Sequence, residues 1–212
     1  MRESNTIIVA TNNAHKVEEL NFLFNQYGQF DLIPASKIIR NFDKLKFVET
    51  GKNYLENALF KAQKANQASH YACLADDSGL EIQALEGKPG LYSARYSLRK
   101  SGETQDSANV DKVLNELKSL PTENRNAKFV AALVIVIEGI QLQAQEELHG
   151  KIIDHPRGER GFGYDSVFIP EGKDKTLAEM SFEEKNTLSH RFLAVKSIVK
   201  QISDQGIMIA KP

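Results

Sequence analysis

The feature that most constrains this chain lies between residues 127 and 150: AKFVAALVIVI, then Glu138-Gly139, then IQLQAQEELHG. Two extended segments joined by a turn dipeptide have the form of a long β-hairpin, and a hairpin is antiparallel. The second arm at first alternates apolar and polar residues, which leaves one of its faces wet. Near the N-terminus, TIIVA (6–10) reads as a buried strand. It feeds through TNNAHK into a segment where Val17, Leu20, Leu23, Phe24 and Tyr27 recur at helical spacing. Strands and helices therefore mix without strict alternation. The expected fold is α/β with a mixed sheet flanked by helices, not a doubly wound parallel one.

Other segments fill in this frame. A helix is expected from about Asn53 to Tyr71, with Leu55, Ala58, Leu59, Ala62 and Ala65 on one stripe. ACLADDSGLEIQAL (72–85) reads as a strand, a polar break and a further extended segment. Residues 106–120 form an amphipathic helix stopped by Pro121. YDSVFIP (164–170) is a short strand. Ser181 and Glu184 offer a capping box that opens a helical region, carried to the C-terminus by Leu188, Phe192, Val195, Val199 and Ile202.

A chain of 212 residues suits one sizeable domain or two small lobes sharing a core. Its formal net charge of -1 argues against broad electrostatic binding to nucleic acid or an anionic membrane. The longest apolar run, 129–137, is far short of the ~20 residues of a membrane span, and MRESNTIIVATNN is too short in apolar residues for a signal peptide. A cytoplasmic location is expected. The single Cys73 excludes an internal disulfide framework and a four-cysteine zinc site.

Candidate chemistry gathers at the ends of elements. In TNNAHK, Thr11, Asn12 and Asn13 can cap a helix or donate to an anion at its N-terminus, with Lys16 one turn in. Glu49, before a Thr-Gly turn, is a metal ligand or a surface carboxylate. If residues 74–77 are extended, Asp76 and Asp77 point to opposite faces and do different work. One would hold the turn; the other, beside Ser78 and Gly79, would bind a divalent cation. A pair of turn formers is the alternative. Arg95, between two tyrosines, could clamp an acidic group. Gly161 and Gly163 bracket Phe162 and free its ring to approach a flat ligand, followed by Asp165. Lys185, Ser189, His190 and Arg191 supply donors within two turns, and His190 has no second ligand at zinc spacing. Cations for phosphate, hard oxygens for magnesium and a ring for stacking together suit a nucleoside triphosphate.

TNNAHK, ETG, ADDSGLEIQALEGKPGLYSARYS, GFGYDSVF and AEMSFEEKNTLSHR, in this order over residues 11–191, resemble the inosine triphosphate pyrophosphatase (XTP/dITP diphosphatase) family. The resemblance implies an elongated mixed sheet flanked by helices, with two lobes, a central cleft and a homodimer as the usual state. It implies hydrolysis of ITP, dITP or XTP between the α and β phosphates, giving the monophosphate and pyrophosphate, with Mg²⁺ as cofactor. Residues Thr11, Asn12, Asn13, Ala14, His15 and Lys16 would hold the nucleotide, chiefly through Thr11, Asn13 and Lys16. Asp77 would be proton acceptor and magnesium ligand, Glu49 a second acidic ligand, and Ser78 a substrate contact. Phe162, Gly163, Tyr164, Asp165, Lys185, His190 and Arg191 would complete the site, with a donor such as Arg191 meeting the purine 6-oxo group. Ser166 stands where the family usually has proline. A Maf-type nucleotide pyrophosphatase, a nucleotide sensor without turnover and a nucleic-acid-binding module are the competing readings. GFGYD and SHR argue against the first, the retention of Glu49 and Asp77 against the second, and the near-neutral charge against the third.

Overall fold

The computed structural model describes residues 5–28, 30–40, 42 and 51–207. Six strands hydrogen-bond in the order β2-β1-β3-β4-β5-β6. β1 (Asn5–Val9) lies parallel to β2 (Phe30–Pro34) on one side and to β3 (Ala72–Ile82) on the other, with Ile7 opposite both Leu32 and Ala72. β4 (Asn126–Ile137) returns as β5 (Ile140–Ile152) through Glu138-Gly139. Both turn residues have positive φ, 47° and 83°, which gives the turn the twist that flanking strands require. β5 runs antiparallel to β6 (Phe168–Pro170). The sheet is therefore mixed, as the hairpin demanded. β2 carries no strong periodic signal and was not expected.

The chain divides into two compact units. Unit 1 comprises residues 1–77, 131–146 and 191–212; unit 2 comprises 78–130 and 147–190. The divisions fall inside β3, β4 and β5, so each of these strands supplies residues to both units.

Unit 1 contains α1 (Ala14–Asn25), α2 (Tyr54–Ser69) and all but the first residue of α5 (His190–Asp204). Its apolar side chains form two clusters. One gathers Ile7, Val9, Leu20, Phe24, Leu74, Leu133, Val195 and Ile198; the other gathers Ile8, Ala58, Ala62, Ala65, Cys73, Ala75 and Val134. Ala72 and Leu74 belong to the first, Cys73 and Ala75 to the second, so β3 sends alternate residues to opposite faces. Each fully buried Leu or Ile contributes roughly 1.5–3 kcal/mol.

Unit 2 contains α3 (Gln105–Leu117) and the short α4 (Phe182–Lys185). Leu80, Ile82, Val110, Val113, Leu117, Phe129, Ile152, Phe168 and Met180 form its core. Phe129 and Phe168 meet at 4.7 Å between ring centroids. Gly150 permits a close approach here, since a Cβ would lie 2.2 Å from the Ile169 carbonyl and 2.7 Å from the Phe168 ring. No helix among the described residues is long and apolar enough to cross a membrane.

Three expectations need correction. β3 runs unbroken through Asp76-Asp77-Ser78-Gly79, where a polar break was expected. Strand pairing and partners for both carboxylates override the turn preference of those residues. The C-terminal helical region is two helices: Ser181 Oγ caps α4 by accepting from Glu184 N at 3.1 Å, and a turn at 186–189 separates α4 from α5. In YDSVFIP only Phe168–Pro170 is extended, because Asp165–Val167 forms a 3-10 turn.

Candidate active site

In unit 1, β1 delivers the chain to TNNAHK. Thr11 Oγ1 accepts from Asn13 N at 3.1 Å, and Asn13 Oδ1 accepts from Lys16 N at 3.2 Å as the N-cap of α1. Asn12, Asn13, Ala14 and His15 are exposed, while Thr11 and Lys16 are half-buried. From the first turn of α1, Lys16 Nζ donates to Asp76 Oδ1 at 2.6 Å. Arg191, at the start of α5, donates through Nε to Asp76 Oδ2 at 2.7 Å and through Nη1 to Glu19 Oε2 at 2.7 Å. Burial alone would raise the Asp76 carboxyl, but the Arg191 guanidinium and the Lys16 ammonium outweigh it and hold the group well below the usual carboxylate range. Burial pulls Lys16 down despite its partner Asp76.

Asp77 points the other way, toward α2. Its Oδ1 accepts from Lys61 Nζ at 2.6 Å and its Oδ2 from Asn57 Nδ2 at 3.2 Å. Asn57 and Lys61 stand one helical turn apart, so a single face of α2 presents both donors. Asn57 Oδ1 in turn accepts from Gly51 N at 2.9 Å, which links the residue after the Glu49-Thr50 pair to the amide that holds Asp77. Lys61 Nζ also donates to the Asp76 carbonyl at 3.3 Å. Two adjacent carboxylates thus have two separate sets of cations. Glu49 itself lies outside the described residues. Ser78 follows on β3 and is half-buried.

In unit 2, residues 161–165 form a loop in which Gly161 and Gly163 adopt φ of 74° and 62°. Asp165 Oδ2 accepts from Phe162 N at 2.9 Å and from Lys185 Nζ at 2.6 Å. A Cβ on Gly161 would sit 2.2 Å from that oxygen, so the carboxylate needs the glycine beside it. Lys185 Nζ also lies 4.9 Å from the centroid of the half-buried Phe162 ring. Tyr164 is buried, and its hydroxyl donates to the Ser93 carbonyl at 2.9 Å; Asn109 Nδ2 donates to the same carbonyl at 3.1 Å. The His190 ring stacks on Phe129 at 4.8 Å, with planes 9° apart. Ser166 N-terminally flanks β6 inside the 3-10 turn, and its carbonyl accepts from Arg157 N at 2.8 Å.

Each cluster has a distinct capability. The unit 1 cluster holds carboxylates at fixed orientation and sets lysines beside them, an arrangement able to handle phosphate and a hard cation. The unit 2 cluster presents a ring, backbone turns and one buried lysine, as recognition of a flat heterocycle requires. A family model described as Ham1 matches residues 7–201. The chain belongs to the Ham1 family.

Individual relatives agree with the Ham1 assignment. A Campylobacter jejuni protein named dITP/XTP pyrophosphatase is 40% identical over 208 residues, covering 94% of this chain and 99% of its own length. A Bacillus subtilis protein of the same name is 42% identical over 194 residues, covering 91% and 94%. Among solved structures, the Coxiella burnetii HAM1 protein superposes with a TM-score of 0.80 at 31% identity, over 94% of this chain and 98% of that one. The Staphylococcus aureus Ham1 protein gives 0.77 at 34% identity, over 95% and 98%.

Against this Ham1 framework, sequence reasoning missed Glu19, Asn57 and Lys61. Asn57 and Lys61 stand four residues apart among the alanines of α2, a spacing legible in the sequence, whereas the 9% exposure of Lys61 is seen only in the fold. Glu19 had no such mark beside Glu18. Arg191 is 2% exposed, and its Nε and Nη1 donate to the carboxylates of Asp76 and Glu19 in unit 1.

Proposed function

We propose that this Ham1-family protein hydrolyses ITP, dITP and XTP between the α and β phosphates, releasing the monophosphate and pyrophosphate. The observation that carries the reading is Asp77, a buried carboxylate held on β3 by Lys61 and Asn57 and kept apart from its neighbour Asp76. The relatives named dITP/XTP pyrophosphatase support it.

The reaction needs a water oriented toward the α-phosphorus, and negative charge compensated as pyrophosphate leaves. Asp77 accepts the proton of that water. Lys61 and Asn57 fix its carboxylate, so it does not reorganise as charge develops. Lys16 sits on α1 beside Thr11 and Asn13, where helix N–H groups and an ammonium meet the phosphates. Arg191, itself held by Glu19, holds Asp76, which keeps Lys16 in place. Phe162 stacks on the purine, and the 161–165 loop with Lys185 and His190 gives the base its hydrogen-bond partners. Hypoxanthine and xanthine carry a 6-oxo acceptor where adenine carries an amino donor. A site built of donors therefore rejects adenine, by as much as roughly 10⁴-fold in favourable cases.

Magnesium is the proposed cofactor. Mg²⁺ is usually held by one or two carboxylates together with substrate phosphates, and the Asp77 carboxylate is a hard oxygen donor of that kind. Asp77 and Glu49 would supply the carboxylates, and the bound ion would neutralise phosphate charge. A cytoplasmic homodimer completes the reading, with light scattering of the purified protein as the check on its oligomeric state.

The test is a panel of triphosphates incubated with magnesium, with pyrophosphate and orthophosphate measured separately. Pyrophosphate from ITP, dITP and XTP, slow turnover of ATP, and loss of all turnover on chelation are expected. Orthophosphate as the product, or equal kcat/KM for ATP and ITP, overturns the reading.

A further inference from the structure

We propose that Asp106 of α3 is a positioning residue for the purine: its carboxylate holds the Phe162-Gly163 backbone in the conformation that receives the base. The inference rests on the role proposed above for Phe162.

Two backbone N–H groups of the loop end on carboxylates. Phe162 N donates to Asp165, which belongs to the loop itself and is anchored by the buried Lys185. Gly163 N donates to Asp106 Oδ2 at 2.7 Å, a contact between residues 57 apart in sequence. A Cβ on Gly163 would meet no atom within 4 Å, so packing does not restrain the loop on that side. A short charge-assisted hydrogen bond supplies the restraint instead. Gly163 adopts a positive φ, and glycine populates negative φ as readily, so this turn has somewhere else to go once released.

Asp106 is not needed to build α3. The helix is capped by Thr104, whose Oγ1 accepts from Ser107 N at 3.1 Å, and it packs through Ala108, Val110, Val113 and Leu117. Asp106 is exposed, and an acidic residue in a first helical turn adds only modest stability. Its bond to the loop is the larger contribution. Loss of that bond should loosen binding of the base and leave phosphate chemistry intact, which is the signature of uniform binding: KM rises while kcat holds.

The experiment compares Asp106→Ala, Asp106→Ser and Asp106→Asn with the unaltered chain. Ser suits a helix N-terminus but is too short to reach Gly163, and Asn keeps an acceptor oxygen. KM for ITP should rise about 3- to 10-fold in the Ala and Ser variants, with kcat within about 2-fold. The Asn variant should stay within about 2-fold of the parent in both constants, because its amide oxygen can still accept. Inhibition by inosine monophosphate should weaken by the same factor as KM, while inhibition by inorganic tripolyphosphate, which has no base, should not change. Unchanged KM in both Ala and Ser, equal weakening of the two inhibitors, or an Asn variant as impaired as Ala overturns the proposal. If Asp106→Ala does not fold, Ser against Asn makes the same comparison. Calorimetric binding of inosine monophosphate needs no turnover, so failure of the hydrolysis reading and failure of this one are seen separately.

Discussion

The two clusters use charge in opposite ways. In unit 1, Asp76, Asp77, Glu19, Lys16, Lys61 and Arg191 are packed into ion pairs of 2.6–2.7 Å, with most of these side chains withdrawn from water. In unit 2, a buried ion pair, Lys185–Asp165, accompanies stacked rings and a glycine-bracketed loop. A highly charged, conformationally simple triphosphate calls for the first arrangement. A neutral flat base, told from its relatives by a few edge atoms, calls for the second. Under the proposed function the two clusters divide strength from discrimination, and substitutions in them should fail in different ways.

The largest effect is expected in unit 1. Asp77→Asn should lower kcat about 10²–10⁴-fold, the span of a positioned general base, with folding intact by circular dichroism. Near-normal turnover in the folded variant would remove Asp77 from its role. Asp76→Asn should act on stability: it leaves Arg191 and Lys16 facing an uncharged amide, at a cost of about 3–5 kcal/mol measured by denaturant unfolding. Loss of turnover with stability unchanged would show that the two carboxylates have been assigned the wrong way round. In unit 2, Phe162→Ala should raise KM for ITP about tenfold with kcat nearly kept, as loss of one base–aromatic stack predicts. A fall in kcat of the same size would place the ring in the chemical step and erase the contrast between the clusters.

A further effect concerns neither of these charged sites. Burial pushes the Cys73 thiol up to about 11 from an ordinary 9.0. The unfolded chain therefore ionises first as pH rises, and the stability contributed by the neutral thiol is full below pH 9 and lost between about 9 and 11. A Cys73→Ala variant should show a shallower fall in unfolding free energy across that window. The difference should be at most roughly 2–3 kcal/mol, because a tenfold change in proton affinity is worth about 1.4 kcal/mol. An unaltered slope would mean that other groups set the alkaline limit.

What sequence could reveal followed from periodicity. Two-residue alternation placed Asp76 and Asp77 on opposite faces before any coordinate did, and the hairpin at 127–150 required a mixed sheet. Partners across space were harder. Lys61 reads as a polar interruption of a helical stripe, and only packing shows that it faces Asp77. Arg191 reads as a donor in a polar motif, and only packing shows that two of its nitrogens meet Asp76 and Glu19. The Asp-Asp-Ser-Gly run looks like a turn on local preference, and membership of a long sheet strand overrules it. Asp106 carries no motif at all. Its meaning depends on a loop 57 residues away.

The unbroken course of β3 has one more consequence. The carboxylates of residues 76 and 77 share no partner, so a longer acid at each would extend in opposite directions: toward Arg191 and Lys16 at the first, toward Lys61 and Asn57 at the second. Mutational tolerance at one position should therefore say nothing about tolerance at the other. A single inserted residue between them, taken up without a bulge, would exchange the two faces for the rest of β3.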